Sequence, residues 1–181
     1  MEPPVVPTDR LDSWRRIAET TDRPFAAGFV SVTASTVRYE RTGGSPRPFF
    51  FASRLRIRPS TPPNAALTRL VERRARSGFR DRLADRNVRA VAHRGDREIS
   101  IDDPDASRAT LSTFRGACRL TDGPCEVPVE ALLAVWDAGE YLLGGGAYPL
   151  SDGATAADTA RRDLLGLIRG VRAPPGSDGD S

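Results

Sequence analysis

Arginine is the residue type with the most chemistry to offer in this chain. Arg69, Arg73, Arg76 and Arg80 fall within roughly 60° of one another on a helix that turns about 100° per residue. They lie opposite Leu67 and Val71, on the side expected to meet solvent. Only Glu72 stands close enough to neutralise part of this stripe. Arg54, Arg56 and Arg58 alternate with Leu55 and Ile57 and share one side of an extended segment. Together these guanidiniums predict a basic surface for binding a ligand, phosphates or an acidic protein. The preferred reading is nevertheless an ordinary solvated helix face in a chain without lysine, since all 27 basic residues are arginine. Against 24 acidic residues the formal net charge is only +3. That is too small to require a polyanionic partner, and no nucleic-acid-binding module accompanies the stripe.

The residue types that usually carry catalysis are sparse. His93 is the sole histidine. Asp96 and Glu98 are near it in sequence, but Arg94 and Arg97 stand among them, and a solvated turn histidine is the preferred reading over a general base. Asp102-Asp103-Pro104-Asp105 clusters carboxylates without the full calcium-loop spacing and reads as an acidic turn. Cys118 and Cys125 flank Asp122-Gly123; a hairpin there sets Cys118 opposite Val127 and Cys125 opposite Leu120, which keeps the thiols apart and free. Two cysteines and one histidine leave no usual zinc ligand set. Gly144-Gly145-Gly146 would need a helix directly after it to cradle a phosphate. Ala147-Tyr148-Pro149 follows instead, so the glycines are expected to permit close helix packing or to mark a bulge. No serine sits in a nucleophile elbow. No metal and no cofactor is implied.

These residues need a frame. Apolar residues make up 39% of the chain and charged residues 28%, the balance of a globular domain. One domain is expected over residues 8–172, between a flexible segment 1–7 and a disordered tail 173–181. No apolar run reaches the ~20 residues of a membrane span. Met1-Glu2-Pro3-Pro4 does not open a signal peptide, so the expected location is the cytoplasm.

A short helix from Thr8 or Asp9, ended by Pro24, would place Leu11, Trp14, Ile17 and Ala18 on one face. Phe25 to Glu40 reads as a strand whose apolar parity flips from Val30, Val32 and Ala34 to Val37 and Tyr39, suggesting a bulge near Thr36. Pro48 to Arg58 alternates cleanly. Thr61 as cap and Pro62 at the first position begin a helix running to about Arg86, with a bend or break at Ser77-Gly78 and Asn87 in the left-handed position beyond it. Short strands follow at Val88–His93 and Glu98–Ile101, then longer ones at Ala109–Leu120, Val127–Asp137 and Tyr141–Tyr148. Leu132 to Trp136 is apolar at every position and predicts an interior strand covered on both faces. A helix over Ala156–Arg169 ends the fold. The fold class is therefore α+β: a largely antiparallel sheet of about six or seven strands, with a long middle helix and a C-terminal helix packed on it.

This order resembles the PsbP-like α/β/α sandwich. The likeness is carried by the hairpin ending in Phe49-Phe50-Phe51, the helix from Pro62, and the run from Leu132 through Tyr148 into the last helix, over residues 25–171. Ala134-Val135-Trp136 followed by Gly144-Gly145-Gly146-Ala147-Tyr148-Pro149 is also similar to hypothetical proteins of haloarchaeal genomes. The PsbP-like resemblance implies binding of partners or ligands rather than catalysis. The leading expectation is a non-catalytic binding or interaction domain for a protein partner or a small apolar ligand. An anion or nucleic-acid binder using the arginine stripe ranks second, and an enzyme using His93 with the Asp102–Asp105 turn ranks third. An apolar pocket between sheet and helix would favour the first, and a continuous positive face the second.

Overall fold

The structure, a computed structural model, describes residues 1–175. Residues 176–181 of the expected tail lie outside the described residues. Strands β1 (Trp14–Ala27), β2 (Val30–Arg41) and β3 (Phe49–Arg58) come first, followed by α1 (Ala65–Asp85). Then come β4 (Val88–Ile99), β5 (Ala109–Arg119), β6 (Glu126–Asp137), β7 (Tyr141–Pro149) and α2 (Ala154–Gly170). All seven strands join one antiparallel sheet in the order β1-β2-β3-β7-β6-β5-β4. The helix α1 carries the chain from β3 to the far edge, and the β4–β7 meander returns to close on β3. As expected from its unbroken apolar run, β6 is interior and covered on both faces. Leu132, Ala134 and Trp136 pack with α2, while Leu133 and Val135 face the side of α1.

Several local expectations are corrected. Residues Trp14 to Ala18 are not helical: a 3-10 turn at Thr8–Arg10 leads straight into β1. The helical spacing of Leu11, Trp14, Ile17 and Ala18 comes from that turn plus a register shift between Arg16 and Ala18. Pro24 interrupts no helix; it sits in a second register shift of an edge strand, where its missing N–H is tolerated. The expected strand from Phe25 to Glu40 divides at Gly28, whose φ of +58° makes the β1–β2 turn. No bulge occurs near Thr36, because β2 pairs with β3 without a shift. The apolar parity flips because β2 buries one face toward α1 and, further along, the other face toward α2.

Asn64, not Thr61, caps α1, its Oδ1 accepting from the Leu67 N–H at 3.0 Å. The helix continues through Ser77-Gly78 without a break. Asn87 takes the left-handed conformation, with φ of +61°. Val88 to Ile99 is one strand, shifted in register near Ala90 and Arg94, rather than two. The N-terminal segment is tied down: Val5 bridges to Arg172 and Val6 is buried. The cysteine register is as expected, with Cys118 opposite Val127, and both thiols are free.

The two faces are closed unequally. The α2 face is filled by Phe50, Leu132, Trp136, Leu142, Leu164 and Ile168. It also holds a buried carboxylate: Glu130 accepts from Tyr148 and Arg161 and lies 3.2 Å from Arg115. Burial and the neighbouring Glu130 raise the Tyr148 pKa, so the phenol stays a donor to this carboxylate. The glycine run serves this face. A Cβ on Gly146 would overlap the Phe49 carbonyl oxygen and meet Leu164 at 2.9 Å, so α2 can lie close only over a bare backbone. On the opposite face, α1 packs Phe79 and Leu83 over β3, β5 and β6. Its line of travel leaves β1 and most of β2 uncovered.

Candidate functional site

The uncovered strip forms a groove of about 490 Å³ between α1 and the β1–β3 hairpins. Register dictates its lining. On β2, Val30, Val32, Ala34 and Thr36 share one face, and their β3 neighbours on that face are Ile57, Leu55 and Ser53. Leu67, Leu70 and Val71 of α1 form the facing wall, and Phe25 of β1 forms the outer lip. Phe25 and Leu70 remain 39% and 46% exposed, and Phe29 at the hairpin tip is 85% exposed. Phe25 and Leu70 thus give the groove an apolar rim.

Polarity changes along the groove. The end near the start of α1 is aliphatic. Midway, the Thr36 and Ser53 hydroxyls meet on the floor at 2.7 Å. Beyond them come Arg38 on β2 and Arg82 on α1, whose guanidinium lies 5.0 Å from the Phe51 ring centroid. Burial, then the charge of Arg38, push the Arg82 pKa below its ordinary value against a smaller opposing effect of Asp22. Neither arginine forms an ion pair among the described residues. Arg74 lies over Phe25 at the lip, 5.9 Å from the ring centroid. On the same helical row, between Arg74 and Arg82, Gly78 presents no side chain, and a Cβ built on it would meet nothing within 4 Å.

The arginines singled out in the sequence do not converge. Arg54, Arg56 and Arg58 point to the α2 face, as the pairing of Arg54 with Leu142 shows, and so lie on the side of the sheet away from α1. Arg54 is buried against Glu140 and reaches the Glu2 carbonyl oxygen. On α1 the stripe divides. Arg76 binds Asp96 and Ser112, and Arg80 lies over Phe114 at 5.6 Å. Arg69 and Arg73 stay exposed. No continuous basic face joins the two groups.

His93 is placed in β4 rather than on a turn, its ring edge-on to Phe114 at 5.4 Å. Its Nε2 faces Asp96 Oδ1 at 2.8 Å, the same oxygen to which Ser112 Oγ donates at 2.6 Å. Both side chains converge on the carboxylate, so His93 does not stand between Ser112 and Asp96 as a nucleophile's base would. Burial of Asp96 is outweighed by the Ser112 and His93 hydrogen bonds and the charge of Arg76, which hold its pKa below the ordinary value. Asp102 pairs with Arg10, and Asp103 accepts from the Asp105 N–H. The acidic turn is thus a local structure.

The groove went unnoticed in the sequence because β1 read as a helix. The available signal was the parity flip in β2, which marks a strand buried first on one face and then on the other. Comparison with curated proteins and with solved structures finds no match. A family match covers nearly the whole domain: the chain belongs to the family described as Domain of unknown function (DUF6517), which matches residues 3–172.

Proposed function

We propose that this protein is a non-catalytic binding domain whose groove between α1 and β1–β3 receives a small, elongated apolar ligand. The observation that carries the reading is the groove itself. Its size falls in the range of about 300–1,000 Å³ usual for ligand sites, its walls are mostly apolar, and it has a few polar groups: Arg74 at the lip, Thr36 and Ser53 on the floor, and Arg82 beyond them. The arginine-stripe alternative has less support, because Arg76 and Arg80 are engaged with β4 and β5 and Arg54 is buried.

Gly78 supplies the test. Gly78 lines the groove and has open space around an added Cβ, so Gly78→Leu puts a side chain there, at a helix position where losing glycine favours folding by up to about 1 kcal/mol. A neutral apolar dye, Nile red, is expected to bind the wild type with a blue-shifted emission. In the variant, binding should fall at least tenfold while the melting temperature holds or rises. Absence of dye binding by the wild type, or equal binding by the variant, would overturn the reading.

A further inference from the structure

Resting on that reading, we propose that the ligand is a single-chain amphiphile with a carboxylate head, held by Arg82 and Arg38, its chain lying toward Leu67 and Leu70. The argument is the order of groups along the groove. Val32, Leu55, Ile57 and Leu67 offer nothing but hydrocarbon, the Thr36–Ser53 pair comes next, and the Arg82 guanidinium lines the groove beyond it, with Arg38 next on the same face of β2 and close enough for its charge to act on Arg82. A neutral ligand would have no use for the last of these.

The two arginines are also short of partners. Arg38 Nε is buried without a hydrogen-bond acceptor among the described residues. A guanidinium nitrogen withdrawn from water and left unbonded is costly. Arg82 is withdrawn from water beside it, with only the more distant charges of Asp22 and Asp85 in its favour. Asp81 also borders the groove, so net positive charge there is modest, suited to one carboxylate rather than to a polyanion. A carboxylate placed between the two guanidiniums accepts from both forks, the arrangement in which charge-assisted hydrogen bonds are strongest. The alkyl chain then replaces water along the aliphatic walls, at about 0.8 kcal/mol per methylene buried.

Displacement of Nile red by dodecanoate and by dodecanol, at neutral pH and below their aggregation limits, separates head from chain. Dodecanoate is expected to compete at least tenfold better than dodecanol. Arg82→Gln should abolish most of that preference, read as the ratio of dodecanoate to dodecanol competition within the variant. Arg38→Gln gives an independent check if the first variant folds poorly, and Arg82→Lys should retain part of the preference. Equal competition by the two compounds, or a preference that survives in both glutamine variants, overturns the carboxylate assignment while leaving the groove reading intact. Dye binding that neither compound displaces overturns the amphiphile altogether.

Discussion

Thr36 and Ser53 face each other across β2 and β3, Oγ1 to Oγ at 2.7 Å, on the floor of an otherwise apolar groove. They are 1% and 4% exposed. A hydroxyl offers one proton and two lone pairs, and a mutual bond uses only one of the two protons. The other remains available to an acceptor. The pair therefore does two things at once: it makes two buried hydroxyls acceptable among aliphatic neighbours, and it marks where the groove changes from hydrocarbon to polar.

Removing both members should cost less than the two single losses added together. Thr36→Val or Ser53→Ala leaves a buried hydroxyl without its partner, and each is expected to lower stability by about 1–3 kcal/mol. The double variant, with an apolar floor, should lose less than the sum of the two. Urea denaturation of the four proteins gives the coupling directly. Additive losses would show that the hydroxyls do not depend on each other.

Two glycines of the same strand should respond in opposite ways. At Gly146 an added Cβ overlaps a backbone oxygen of β3, which cannot swing aside as a side chain can. Gly146→Ala is expected to cost about 1–3 kcal/mol or more, as overpacking does. At Gly144 the nearest atoms would be Ile168 side-chain carbons at 3.4 and 3.5 Å, an ordinary packing distance. Gly144→Ala should therefore stay within about 1 kcal/mol of wild type. Thermal melts distinguish the cases, and equal losses would mean that α2 can shift to make room.

The same contrast shows which parts of this fold were legible in the sequence. The Leu132–Trp136 run could only be an interior strand, and the alternation in β3 placed Phe49, Phe51, Leu55 and Ile57 on one face correctly. Both signals come from burial, which writes itself into residue type. The edge strand β1 carries no such record. Arg15, Arg16, Glu19, Thr21, Asp22 and Arg23 belong to a strand largely open to solvent, and two register shifts break its period. The groove depends on where α1 runs across the sheet, and no local pattern encodes that path. The contacts of the arginine stripe were hidden for a related reason. Helical spacing grouped Arg69, Arg73, Arg76 and Arg80, but the partners of Arg76, Asp96 and Ser112, come from strands distant in sequence.

The Asp96 cluster predicts how stability should respond to acid. Ser112 donates to Asp96 at 2.6 Å, His93 faces the same oxygen, and Arg76 bridges carboxylate and hydroxyl, pinning α1 to β4 and β5. These contacts favour the ionised carboxylate and hold its folded-state pKa below the unfolded value of about 3.9. The stabilisation is then fully present above that unfolded value. It disappears as pH falls through the folded value, because over this interval the unfolded chain binds the proton more readily. Asp96→Asn removes the charge and keeps the shape. At neutral pH the variant should be less stable than wild type, by no more than about 1 kcal/mol, since a side chain 35% exposed is screened by water. The gap should close as pH drops below about 4. Urea midpoints for both proteins, measured from neutral to acidic pH, check the sign. A gap that stays constant, or widens in acid, would mean that the carboxylate's charge has no part in holding the helix to the sheet.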